Sequence, residues 1–402
     1  MLTILHPEVL PRIRDVPAGL IALSIPGNSR PILVVKVPKE VMLAAKIELG
    51  FKVYIVPVTL AAGQTAGLIS AFFDDEDEPL ILSTPMFEDP ATHDLRRVLM
   101  SNELDVHFFD EHSREMMGYV AEVRAAAATR ALLNGTKLLA YSNEELGSYR
   151  DQMTTWFGAR TRADDLAALS LSFGEQLVPD DLFHIDARPQ SNAYHGSRGV
   201  DHSLLVRKNP GPFQERDIAL MLQRLFPPST IYLGPLRISD RKEIADLMVI
   251  TASHALFIQA KDSPNTEDVL RNSLTRKKAT ALKSLRKAEA QIGGAIRYAN
   301  TSSPMQMLVG SRTVEVSLNG LLQRALIVAR ELFNDEYKAY SALVLANVTR
   351  TGVPCIALDY GELNQYTSHV ADEESFFRAY DVVYEHGRRT GMFPRLRFTL
   401  PT

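Results

Sequence analysis

EIADLMVITASHALFIQAK, from Glu243 to Lys261, carries two apolar segments, Ile244 to Ile250 and Ala255 to Ile258, joined by Thr251, Ala252, Ser253 and His254. That length and composition suit a tight β-hairpin. With Ala252 and Ser253 as the turn, Asp246 falls directly opposite Gln259, and Lys261 lies two residues further along the same face. Leu247, Met248, Val249, Phe257 and Ile258 surround them, so Asp246, Gln259 and Lys261 interrupt strands that otherwise read as buried on both sides. Polar groups placed at that cost point to a site. The plain alternative is a cross-strand ion pair between Asp246 and Lys261.

An Asp, a gap of about a dozen residues and then Gln-x-Lys resembles the active-site signature of the PD-(D/E)xK nuclease superfamily, in the QxK variant of Mrr-like restriction nucleases. The resemblance covers roughly residues 205 to 310 and implies a restriction-endonuclease-like α/β (α+β) core, a mixed sheet flanked by helices. It also implies a first helix, a hairpin, a second helix and a fourth strand. Residues 214–225 read as the first helix, with Ile218, Met221, Leu222 and Leu225 at helical spacing and Glu215 on the same side. Pro227-Pro228, a β-rich run from Thr230 to Leu233 and a Gly234-Pro235 turn then lead to the hairpin. Ala245 stands where the family's Pro would be, and Gln259 replaces its second acidic residue. Glu215 is then the compensating carboxylate. Glu243 is a rival with the opposite strand parity, sharing the face only if the start of the strand is irregular.

Phosphodiester hydrolysis needs an activated water, neutralisation of charge on the phosphate and stabilisation of the leaving oxygen. The resemblance implies Mg²⁺ or Mn²⁺, held by Asp246, Glu215 and the carbonyl of Ala260, since hard cations take oxygen ligands. Lys261 would hold the water or the phosphate and Gln259 would orient it. DNA is the expected substrate. RNA stays open because the phosphate chemistry is common to both.

The 402 residues are 46% hydrophobic and 23% charged, an ordinary globular composition with room for more than one domain. Forty-four basic against 48 acidic residues give a net charge of −4, so nucleic-acid binding must rest on a local patch. Such a patch is legible between Thr266 and Tyr298, a helical stretch with Leu274, Ala281, Leu285, Ala288, Ile292 and Ala295 as its core stripe. Its other faces carry Arg276, Lys277, Lys278, Lys283, Arg286 and Lys287, the expected phosphate contacts. The single Cys355 excludes an internal disulfide and Cys-based zinc sites. No apolar run approaches the ~18 residues of a membrane span, so no membrane partner is expected and the cytoplasm is the expected compartment.

Residues 1–138 read as a separate N-terminal α+β domain, with strands near 20–24, 32–37, 53–58, 80–82 and 105–109, and a helix from Lys39 to Leu49. The acidic run Asp74 to Glu78 reads as a solvated loop, and His107, Asp110, Glu111 and His112 as a polar strand end with some metal-ligand character. Met117 to Leu133 reads as a long helix, and 139–209 as a connector with helical segments. The nuclease-like domain is expected over 210–402, its core at about 210–320, with Thr313 to Val316 as fourth strand, Leu321 to Phe333 helical, and Ala342 to Val348 and Val353 to Leu358 as buried strands. A homo-oligomer is compatible with this reading. The functional expectation is a metal-dependent nuclease, in a restriction or defence setting that rests on the resemblance. The alternative is a non-catalytic nucleic-acid-binding or protein-interaction module on the same scaffold.

Overall fold

The computed structural model describes residues 1–179 and 182–396, so positions 180–181 of the expected connector and 397–402 of the expected nuclease-like domain lie outside the described residues. The fold is mixed α/β. The N-terminal part is one sheet of β1 (Gly19–Leu23), β2 (Ile32–Lys36), β3 (Gly50–Leu60), β4 (Gly63–Phe72), β5 (Leu80–Thr84), β6 (Glu103–Phe109), β7 (Glu115–Arg124) and β8 (Leu169–Val178), in the order β1-β2-β6-β7-β8-β3-β4-β5.

Each strand expected in this region overlaps one of these, but two expectations are corrected. Met117 to Leu133 is not a long helix: β7 occupies its first part and a helix begins only at Ala127. Residues Glu115 to Ala121 are all buried, and an unbroken apolar run has no period to separate strand from helix. Residues 139–178 are not a connector, since β8 inserts between β7 and β3 and the helix Asn143–Gly158 packs Leu146, Tyr149, Met153 and Phe157 into the core beneath β3 and β4. Among the described residues of the expected connector, 182–209 is irregular apart from the paired β9 (His184–Asp186) and β10 (Asp201–Ser203) and a short 3-10 helix, Pro189–Asn192.

The helix Gly211–Leu222 opens the second part and is followed by β11 (Ile231–Leu233), β12 (Leu236–Arg237), β13 (Leu247–Ile250) and β14 (His254–Lys261). The helix Leu274–Ala299 crosses to β15 (Met305–Val309), β16 (Arg312–Val316) and β17 (Leu322–Ala329), and the helix Tyr337–Thr351 leads to β18 (Cys355–Asp359). Strands β11, β13 and β14 form an antiparallel meander, and β17 and then β18 add to it in parallel. β12, β15 and β16 make a separate small sheet. The strand beside the hairpin is therefore β17, not Thr313 to Val316, and the expected helix at Leu321 to Phe333 is that strand. Its residues from Arg324 to Ala329 are buried, the same unbroken burial that hides periodicity in β7. Conversely Ala342 to Val348, expected as a strand, lies inside the helix Tyr337–Thr351. No helix among the described residues is long and apolar enough to cross a membrane.

The two parts meet through buried charge. Lys39, 1% exposed, places its ammonium 2.8 Å from Asp110, 3.1 Å from Glu111 and 3.5 Å from Asp217. Arg114 bridges Asp110 and Asp217 at 2.7 and 2.5 Å. Burial opposes charge on both carboxylates, but Arg114 and Lys39 outweigh it and hold both below the usual carboxylate range. Asn265 ties the same joint by backbone pairing with Arg207 and a side-chain bond to the Leu205 carbonyl. The acidic loop is likewise not merely solvated: Asp74 pairs with Lys277 at 2.6 Å, and Arg160 donates to the carbonyls of Glu76 and Asp77.

Removing one partner of a buried charge group leaves the others uncompensated. Lys39→Met, close in volume, should lower unfolding free energy by about 3–5 kcal/mol in denaturant titration. A loss below about 1 kcal/mol would mean the joint is not held by this group.

Candidate active site at the open end of the hairpin

The hairpin pairs Leu247 with Ile258, Met248 with Phe257, Val249 with Leu256 and Ile250 with Ala255, so Asp246 stands across from Gln259 one step beyond the last pair. Here the ladder opens. Asp246 Oδ2 accepts the Ala260 N–H at 2.6 Å and the Lys261 ammonium at 3.2 Å. Lys261 also donates to Gln259 Oε1 at 3.2 Å and to the Ala260 carbonyl at 2.7 Å. Asp246, Gln259 and Lys261 are thus brought together. The Ala260 carbonyl, expected as a metal ligand, is engaged by Lys261 instead, leaving a second lone pair.

Glu215 approaches from the helix Gly211–Leu222, which begins three residues before the expected start. Burial and then the charges of Asp246 and Glu243 push its carboxyl up to about 8. Glu243 joins the same group, against the parity of a regular strand. Its approach is irregular: β13 starts only at Leu247, Arg241 has φ of +58°, Ile244 N–H donates to Pro235 O, and Gly234 N–H donates to Asp246 O. That course delivers Glu243 to Asp246, and burial, the Asp246 charge and a hydrogen bond to Asp246 push it up to about 7.

Burial first, and then the Asp246 charge, raise two of these carboxyls toward neutrality, and the Lys261 ammonium offsets this only in part. Hard oxygen donors that repel one another are the kind of ligand a divalent cation takes, but among the described residues the group whose ligand atoms all lie within 4.8 Å of one another is Glu111, His112 and Asp217, not this one. A cavity of about 300 Å³ borders the group on the side of Glu243 and Gln259 and is lined also, from the helix Leu274–Ala299, by Lys287 and Gln291, whereas Lys261 lines a separate cavity with Glu40 and Arg330.

The expected phosphate-contact residues divide. Lys277 and Lys278 are not available as phosphate contacts in this structure, because Lys277 pairs with Asp74 at 2.6 Å and Lys278 with Asp335 at 2.6 Å. Those partners lie some 200 and 57 positions away in the chain, beyond the reach of spacing arguments. Arg276, Lys283, Arg286 and Lys287 are exposed. Arg237 and Gln291, which also line the cavity, were not identified from the sequence. Gln291 follows Lys287 by four residues, one turn along the same helical face, and that spacing could have identified it.

A second group, Glu111, His112 and Asp217, places one ligand atom from each within 4.8 Å of the others. Of the expected strand-end cluster, His107 instead pairs with Glu115 and Asp110 with Lys39 and Arg114. The carboxylates beside His112 are already served by Lys39, Arg114 and Arg207, so a metal there would meet three cations. At the hairpin the cations acting on the carboxyls are fewer: Lys261 on Glu215, Glu243 and Asp246, and Arg216 on Glu215. No family model, curated protein or solved structure matches the chain.

Because protons compete for Glu215 and Glu243 up to about 8 and about 7, Mn²⁺ affinity should rise with pH between 6 and 8 and level off above. Each proton released adds about tenfold per pH unit. Titration followed by Mn²⁺ electron paramagnetic resonance measures it, and a flat profile would exclude these carboxyls as the ligands.

Proposed function

We propose that this chain is a metal-dependent nuclease hydrolysing phosphodiester bonds in DNA, on a scaffold of the PD-(D/E)xK type. The observation that carries the proposal is the pairing of Asp246 with Lys261 at 3.2 Å at the open end of the hairpin, with Glu215 and Glu243 near enough to feel both charges. A helix, an antiparallel meander, a long helix and a parallel strand, in that order, support the scaffold reading. A cytoplasmic protein acting in restriction or defence goes with the same reading.

Each residue then has a task. Asp246, Glu215 and Glu243 would hold Mg²⁺ or Mn²⁺, which when bound lowers the pKa of water and offsets charge on the phosphate. Asp246 also fixes Lys261, whose ammonium is tethered by three acceptors within 3.2 Å and so keeps a set position. From there it can hold a phosphate oxygen and stabilise negative charge developing on it. Gln259, 1% exposed, braces the ammonium from the neighbouring position on the strand.

Purified protein should cleave DNA with Mg²⁺ or Mn²⁺ and not in chelator. Asp246→Asn keeps an oxygen for the Ala260 N–H, and Lys261→Met keeps the stem. Both should lower the rate by a factor on the order of 100 or more with unchanged circular dichroism. Wild-type protein that binds DNA without cutting it would favour a non-catalytic binding module. Cleavage that survives both substitutions would place the chemistry elsewhere.

A further inference from the structure

Arg237 and Gln291 each carry a buried polar atom with no partner: the Arg237 Nε–H has no acceptor and Gln291 Oε1 has no donor. Both line the cavity that holds Glu243, Gln259 and Lys287. Unpaired polar atoms converging on one opening mark a place where a ligand completes the hydrogen bonding.

The position of Arg237 is set by its surroundings. Its N–H donates to the Lys242 carbonyl at 2.8 Å, its carbonyl accepts from the Arg241 N–H at 3.1 Å, and Leu236 bridges Glu243, so the loop that carries Glu243 also fixes Arg237. The guanidinium lies over the Tyr298 ring at 5.3 Å, and its nearest carboxylate, Asp240, is 4.0 Å away, beyond hydrogen-bonding distance. Gly294 leaves the helix face open: a Cβ there would sit 3.7 Å from Arg237 Nη2, and a longer side chain would fill the space in front of the fork. Lys287 stands on the same face, seven residues earlier in the helix.

We propose that Arg237 and Lys287, with Gln291 between them, form a subsite for a backbone phosphate of the nucleic-acid strand, next to the phosphate that is cut. A planar guanidinium clamped on an aromatic ring, with unused donors, matches a phosphate group. The inference rests on reading the carboxylate group as the cleavage site.

The test is binding of a fluorescein-labelled dodecathymidylate by anisotropy in chelator, over a range of salt. Arg237→Gln and Gly294→Leu should each weaken binding about tenfold. Arg237→Gln and Lys287→Gln should each lower the salt slope by about one unit. Arg297→Gln, on an exposed residue of the same helix that does not line the cavity, is the control for non-specific charge. Equal losses for Arg297→Gln and Arg237→Gln, wild-type binding by both Arg237→Gln and Gly294→Leu, or no binding by wild-type protein would each overturn the subsite. Asp246-dependent cleavage with binding indifferent to Arg237 would keep the nuclease and remove the subsite. Arg237-dependent binding without any cleavage would keep the subsite and remove the nuclease.

Discussion

Asp246 Oδ2 accepts the Ala260 N–H at 2.6 Å, at the point where β13 and β14 cease to pair as a ladder. That contact closes the end of the hairpin with a side chain instead of a backbone group, and its cost is a charge in a place that is 4% exposed. Lys261 answers that charge and is itself fixed by it. What is proposed for the site follows from this placement together with burial, which first raises the Glu215 and Glu243 carboxyls before the Asp246 charge adds to it, and from the acceptor capacity that a hard cation would use. A stable protein could be made with fewer charges there. Keeping three carboxyl groups against one ammonium is the kind of local conflict that function, not stability, explains.

The joint between the two parts shows the opposite arrangement. Around Lys39, the carboxylates of Asp110, Glu111 and Asp217 meet Lys39, Arg114 and Arg207, and charge is met by charge. Such a group fixes orientation more than it adds stability. The acidic loop adds a second tie by holding Lys277 through Asp74, and Asp335 holds Lys278, so part of the basic surface of the long helix is spent within the molecule. Arg276, Lys283, Arg286 and Lys287 stay exposed, and of these Lys287 lies at the cavity beside Glu243.

The hairpin was legible because a two-residue turn and a period of two leave a single register, and that register puts Asp246, Gln259 and Lys261 on one face. Glu215 was legible for a related reason, since helical spacing sets it on the side of Ile218 and Leu222. Glu243 was not, because its place depends on an irregular backbone with a left-handed residue at Arg241, and parity arguments hold only within a regular strand. Continuous apolar runs misled in β7 and β17, where burial on both faces erases the pattern that separates strand from helix. The partners of Lys277 and Lys278, and the insertion of β8 between β7 and β3, are long-range contacts that no local pattern encodes.

The most direct measurement is a crystal of the protein grown with Mn²⁺ at pH 8 and read by anomalous scattering. The account predicts a peak at about 2.0–2.3 Å from carboxylate oxygens of Asp246 and of Glu215 or Glu243, on the side of Lys261. A peak between Glu111, His112 and Asp217, or none at the hairpin when Mn²⁺ is in excess, would contradict it.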